Sequence, residues 1–325
     1  MARKKSRTAP DQRQISARRT RPNNGNRRTV RDFIRWGEAC FKRAGLFFGH
    51  GTDNARDEAV WLIATTLRLP LDEVDTWMDN EASPAQKIAI DEILAKRIDT
   101  RKPAAYLLNE AWFAGRRFYV DERVIVPRSH IAEFIQERFQ PWIEAERVHS
   151  ALDLCTGSGC IAVALAHAFP ACQVDASDIS NDALAVARIN VEGHKLNGRV
   201  SLIQSNLFDA LAGRRYDLIV TNPPYATNQE IAALPAEYHF EPELALAAGE
   251  RGLDIIVRIL AQAGAHLNAD GIFVAEVGNS YAALQAQFSD VPFMWLTTST
   301  GDESVFLLTA EQLTEYRSIF QAYLQ

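Results

Sequence analysis

Nowhere does this 325-residue chain run to about 18 consecutive apolar residues, so the signature of a membrane-spanning helix is missing. Its amino end also lacks the apolar core of a secretory signal, and a cytoplasmic protein without membrane contact is expected. Cysteine is scarce. Cys40, Cys155, Cys160 and Cys172 fall in no C-x-x-C pair, which argues against a zinc site and suits a reducing compartment. The seven histidines show no metal-ligand spacing either, and no metal is expected.

What is present is enough length and apolar content for two domains, since 47% of the residues are hydrophobic. Charge is unevenly placed. Residues 1–30 carry ten Lys/Arg against Asp11 alone, a composition that cannot bury enough surface to fold by itself. Subtracting that +9 from the chain's −6 leaves −15 for the rest, an acidic body behind a basic, disordered tail. Such a tail suits contact with RNA phosphates; a solvated extension without a role is the competing reading.

Beyond the tail, Phe33, Ile34, Trp36, Cys40, Phe41 and Ala44 trace a helical apolar face that ends near Gly45. Residues 55–67 continue the pattern, and Ser83-Pro84 opens another helix with Ile90, Ile93, Leu94 and Ile98 as its stripe. Ala111-Trp112-Phe113 and Arg117-Phe118-Tyr119-Val120 flank Ala114-Gly115-Arg116, which predicts a hairpin. A helix from about His130 to Phe139 follows.

The next segment changes character. Residues 150–154 read as a strand, Cys155-Thr156-Gly157-Ser158-Gly159-Cys160 as a glycine-rich turn, and Ile161 to Phe169 as a helix. Gly157 and Gly159 let backbone approach a ligand, and the helix start offers unsatisfied N–H groups. A second strand, 172–177, ends at Asp178, whose carboxylate suits both hydroxyls of a ribose or, alternatively, a helix cap. Gly157-x-Gly159-x-x-Ala162 equally fits a dinucleotide fingerprint. Asp153, just before the turn, favours S-adenosylmethionine instead, either supporting the loop or approaching the cofactor's ammonium group. Further strands are read at 201–203, 216–220, 271–277, 291–296 and 304–308, with a helix from about Gly252 to His266. They complete a seven-stranded α/β sheet. Asn206 and Leu207 close the third strand, where an amide and apolar groups suit an adenine ring.

The strongest signal is Asn222-Pro223-Pro224-Tyr225, directly after the apolar run Tyr216–Val220. Two prolines lack N–H groups and fix φ, so the chain must leave the sheet there in a stiff shape. That holds an Asn amide, a backbone carbonyl and an aromatic ring at a strand's carboxyl end. An amide nitrogen shares its lone pair with its carbonyl and is a poor nucleophile. The Asn222 side-chain oxygen and the Pro223 carbonyl can accept from its two N–H groups and aim it, while the Tyr225 ring packs on the planar group. Methyl transfer to a planar nitrogen is the chemistry these residues suit.

Taken with Pro103–Leu108, the Trp112-Phe113 to Pro127-Arg128 segment, Asp153 to Gly159 and Phe240-Glu241-Pro242 to Gly252-Leu253, that motif resembles the glutamine methyltransferases of bacterial translation. The resemblance spans nearly everything after the tail. It implies a Rossmann-like domain joined by a hairpin to a helical one, with S-adenosyl-L-methionine as methyl donor. It also implies a protein glutamine as acceptor. One branch of the family methylates the Gly-Gly-Gln glutamine of release factors and follows Pro-Arg with Pro-Glu-Thr-Glu. Here Arg128-Ser129-His130-Ile131-Ala132-Glu133 stands instead, which is similar to the branch, often called PrmB, acting on large-subunit ribosomal protein three. The resemblance implies catalytic roles for Asn222, Pro223 and Tyr225. It implies cofactor contacts for Asp153, Cys155, Thr156, Gly157, Ser158, Gly159, Asp178, Asn206, Leu207 and Asn222, and ribosomal RNA as the tail's partner. Two departures stand out: Asn206 replaces a customary aspartate, and Arg251 a customary acidic residue.

The expected organisation is a basic tail over 1–30, a helical substrate-recognition domain over 31–108, a hairpin linker over 109–128 and a catalytic domain over 129–325. A nucleic-acid methyltransferase is the rival enzyme, but the acidic body and the lack of a large inserted recognition region oppose it. An RNA-bound assembly factor with a degenerate cofactor fold is the non-enzymatic rival, and the intact motif set opposes that.

Overall fold

The first helix, Val30–Ala44, is bounded by its own chemistry. Thr29 and Asp32 form a reciprocal capping box at its start, and Gly45 ends it in the left-handed region at φ 60°. Phe33, Ile34, Cys40 and Phe41 are buried along one face, as the sequence spacing requires. Asn54 caps the helix Ala55–Leu67, and Ser83 with Gln86 caps Pro84–Thr100, where Pro84 takes the first helical position. The computed structural model describes residues 27–325 and divides them into two units, one ending at Leu108 and one running from Asn109 to Gln325.

The basic tail up to residue 26 lies outside the described residues. Residues 27–30, the end of the tail expected over 1–30, are folded, which moves that boundary. Arg27 lies over the Trp36 ring at 3.8 Å and pairs with Asp91 at 3.0 Å, while Thr29 bridges to Glu81. An arginine packed on an aromatic face is held by more than charge, which composition alone cannot show.

In the second unit Ala114 and Gly115, at φ 48° and 71°, make a two-residue turn between β1, Ala111–Phe113, and β2, Arg116–Phe118. Seven strands then form one sheet: β3 Ser150–Leu154, β4 Gln173–Asp178, β5 Val200–Gln204, β6 Tyr216–Thr221, β7 Leu267–Glu276, β8 Met294–Leu296 and β9 Val305–Thr309. Their order is β5-β4-β3-β6-β7-β9-β8, parallel except that β9 runs against both neighbours. The chain winds outward from β3 through β4 to β5, then crosses to β6 on the opposite side. The carboxyl ends of β3 and β6 therefore flank the switch point, where open α/β sheets bind ligands.

Alternation along the strands serves two buried faces. Ala151, Leu218 and Val220 pack with the helix Cys160–Ala168, whereas Leu152, Leu154 and Ile219 pack with the helix Asp254–Ala263. Tyr216 would share the face of Leu218 in a regular strand, yet it packs in the other core. The pairing to β7 shifts register at that point. The helix expected over 130–139 runs only from Ile131 to Gln136, since Arg138 and Phe139 turn left-handed before Pro141. No helix among the described residues is long and apolar enough to cross a membrane.

In the first unit the Arg97 and Glu58 side chains are buried and joined by a 2.8 Å ion pair. Arg97 also donates to the carbonyls of Phe47 and Arg101. Arg97→Met should cost about 3–5 kcal/mol, because it removes one member of a buried ion pair. Adding Glu58→Leu should recover a large part of that loss. Urea unfolding of the two variants checks both expectations.

Candidate active site

Three segments meet at the switch point. The first is the turn after β3. Cys155, Gly157 and Gly159 all have positive φ, at 62°, 54° and 79°, which folds the backbone back on itself. A Cβ on Gly159 would lie 3.1 Å from that of Ala187, so a glycine lets the helix Asn181–Gly193 pack close. Asp153 governs this turn from beneath. It is fully buried, and its Oδ2 accepts from the Thr156 hydroxyl at 2.5 Å and the Ala162 N–H at 2.9 Å. Of the two roles the sequence left open, its geometry is that of loop support.

Asp178, at the end of β4, is the second. Its Oδ2 accepts from the Gly157 N–H and its Oδ1 from the Ser180 N–H, both at 2.9 Å. Burial pushes its pKa up, against those backbone donors. The carboxylate thus joins strand, turn and helix start while lining a cavity of about 250 Å³. Cys155, Gly157, Asn206, Leu207 and Asn222 line the same cavity. Thr156, Ser158 and Gly159 do not; they shape the turn from behind, where Thr156 N–H bonds to Ser177 and Ser158 accepts from Asn190.

The third segment follows β6. Thr221 donates to the Leu154 carbonyl at 2.7 Å, which holds the ends of β6 and β3 level. Asn222 and Pro224 line the first cavity and also a second, of about 190 Å³, together with Pro223, Tyr225 and Arg128. Asn222 therefore stands in the wall between the two. Among the described residues its side-chain amide and the Pro223 carbonyl make no hydrogen bond. The Tyr225 ring packs over Gly278, where an added Cβ would lie 2.4 Å from the ring, and the Tyr225 carbonyl accepts from Ser280 at 2.8 Å. Burial pushes the Tyr225 hydroxyl pKa up, so it stays protonated at neutral pH.

Both departures have hydrogen-bond partners in the structure. Asn206 Oδ1 accepts from Arg258 at 3.2 Å, which leaves one oxygen lone pair and both N–H donors of the amide available. Arg251 donates to Gln287 at 2.8 Å. Phe208, next after Leu207, is buried and stacked on His266 at 4.5 Å.

Sequence reasoning did not pick out Arg123, Ile179, Leu244 and Arg258 in the first cavity, nor Arg128, Glu230 and Tyr238 in the second, as site residues. It also missed Asn190, whose amide bonds to Tyr119 N–H and C=O and to Ser158 C=O, tying the hairpin exit to the glycine turn. The Arg-Ser after Pro127 and the Glu-Pro at 241–242 were visible as motifs, but nothing in the sequence indicated that they meet.

The family model for the methyltransferase small domain matches residues 137–238, a span that holds the glycine turn, Asp178 and the Asn222–Tyr225 turn. The curated "Ribosomal protein uL3 glutamine methyltransferase" of Neisseria gonorrhoeae is 51% identical over 286 residues, 88% of this chain and 95% of that protein. Proteins of the same name match at 50% in Neisseria meningitidis serogroup B and at 48% in Burkholderia pseudomallei. These cover 88% of this chain and 94% and 96% of their own lengths.

Burial pushes the Asp153 carboxyl pKa up to about 7. An unfolded aspartate titrates near 3.9, so between pH ~4 and ~7 the unfolded chain ionises while the folded chain keeps its proton. Wild-type stability should fall across that window by about 1.4 kcal/mol per pH unit from this group alone, then level off. Asp153→Asn removes the titration. Urea unfolding at pH 4.5, 6 and 8 should show the variant gaining on wild type up to about pH 7 and no further.

Proposed function

This chain belongs to the ribosomal protein uL3 glutamine methyltransferase family, and from that premise we propose that it methylates the side-chain amide nitrogen of a glutamine in uL3, the large-subunit ribosomal protein three. S-adenosylmethionine, when bound, supplies an electrophilic methyl group. The residues of the first cavity suit it. Asp178 offers carboxylate lone pairs for ribose hydroxyls, the 155–157 turn offers close backbone, and Ile179, Leu207 and Leu244 offer an apolar frame for a base.

The observation that carries the reading is Asn222, half-buried, with no hydrogen-bond partner among the described residues, in the wall shared by the two cavities. Its Oδ1 and the Pro223 carbonyl accept from the two N–H groups of the acceptor amide. Tyr225 packs on the amide plane. Alignment of this kind is worth about 7–11 kcal/mol when the near-attack geometry is good. The nitrogen is strongly acidic after transfer, so its proton leaves to water and no histidine base is needed. We assign recognition of the uL3 surface to the helical unit, and ribosomal RNA contact to the basic residues before Arg27.

Labelled S-adenosylmethionine, offered with uL3 and a release factor side by side, tests the substrate. Peptide mass mapping should place the label on a glutamine of uL3. Label on the release factor alone would keep the chemistry and overturn the acceptor. Asn222→Ala should lower kcat by about 100-fold through lost alignment, with cofactor affinity by calorimetry nearly unchanged. Wild-type turnover in that variant would remove Asn222 from the mechanism.

A further inference from the structure

We propose that Arg128 reads the carbonyl oxygen of the acceptor amide, completing with Asn222 and Pro223 a three-point recognition of a primary amide. The inference rests on the reading above, because it concerns the same second cavity. A primary amide carries two N–H donors and one carbonyl acceptor. Asn222 and Pro223 answer the donors only. A carbonyl that enters the cavity without a donor loses its water and gains nothing in return.

Among the described residues, Arg128 is the one cation in the wall of that cavity. Its Nη1 donates to Glu241 Oε1 at 2.5 Å and, at 3.4 Å, to the Val126 carbonyl; its Nη2 donates to Glu241 Oε2 at 2.6 Å. A guanidinium has five N–H groups in a fixed plane. Those three bonds leave the Nε–H and the second Nη2–H, which point in parallel from one edge. Among the described residues nothing accepts from that edge. Of the other side-chain donors in the wall, Asn279 gives one of its two N–H groups to Glu230 at 3.2 Å, and the Tyr225 and Tyr238 hydroxyls are single donors, so Arg128 alone offers a parallel pair.

Glu241 decides the character of this donor. Its side chain is 0% exposed, against 26% for Arg128, so the open end of the pair is the guanidinium. The carboxylate neutralises the cation while fixing its plane. The cavity is thus offered directed N–H groups from a neutralised pair, with the Glu230 carboxylate also in its wall, which suits a neutral amide better than a carboxylate. A glutamine fits this arrangement; a glutamate would bring an unpaired charge into it.

A bracing role is the alternative, since Glu241 also accepts from the Val126 N–H at 3.0 Å. The test uses the full chain and uL3 in three forms: with the acceptor glutamine located by mass mapping, with it changed to alanine, and with it changed to glutamate. Two variants are compared with wild type. Arg128→Lys keeps a cation on Glu241 but has no second edge of donors. Arg128→Met with Glu241→Leu removes the pair without stranding a charge.

Wild type should bind the glutamine form about tenfold more tightly than the alanine or glutamate form. In both variants that preference should fall to near unity and KM for uL3 should rise about tenfold. S-adenosylmethionine affinity should stay within about twofold. A variant that keeps the glutamine preference would overturn the proposal and leave Arg128 a brace, as would loss of S-adenosylmethionine binding in both. The wild-type labelling assay reports separately on the functional reading. If label falls on the release factor, that protein in the same three forms replaces uL3; if it falls on no amide, both readings fail.

Discussion

Neither Pro223 nor Pro224 can donate a ladder hydrogen bond, so β6 has to end at Thr221. Much of the site depends on that stop. Thr221 bonds to the last carbonyl of β3, which puts the glycine turn and the proline turn side by side at the switch point. The stiffness of the two prolines then keeps Asn222 in the wall between two cavities, where a flexible loop would let its amide find a partner elsewhere. Space for the aromatic that follows comes from Gly278, and its carbonyl is held by Ser280.

Around this stop the protein uses buried and half-buried carboxylates as ties. Asp153 fastens the glycine turn to its helix, Asp178 fastens the turn to the next strand, and Glu241 fastens the Val126–Arg128 segment to the loop beyond the proline turn. Each is bonded to backbone N–H groups, which offsets the cost of taking a carboxyl out of water. Loops positioned this way stay rigid without secondary structure of their own. Rigidity is what alignment catalysis requires, because a methyl transfer to a weak nucleophile gains from geometry rather than from a strong base.

The methyltransferase reading and the acidic body of the chain are mutually consistent. A ribosomal protein is a basic partner, and −15 beyond the first thirty residues favours its approach over that of bare nucleic acid. The turn after β6 serves a planar nitrogen whether it belongs to a base or a side chain. Charge and the second cavity, with its neutralised arginine, separate those cases where the turn does not.

How much of this was legible in the chain differs by the range of the interaction. Period-2 and period-3.6 patterns, capping residues and the glycine and proline turns are local, and they specified the seven strands, the three long helices of the first unit and the Asn222–Tyr225 motif. Where local signals met long-range partners, boundaries moved. Arg27 to Val30 joined the fold through Trp36, Asp91 and Glu81, and the helix after His130 stopped at Gln136. The roles inside the glycine turn also needed the tertiary structure. Asp153 faces Thr156 and Ala162 rather than a cavity, because burial on both sides of a central strand leaves its side chain no route to solvent. The meeting of Arg128 with Glu241 spans 113 residues, and the Arg258 bond to Asn206 spans 52. No pattern in a single sequence encodes such pairs; only the winding of strands about the switch point brings them within hydrogen-bond reach.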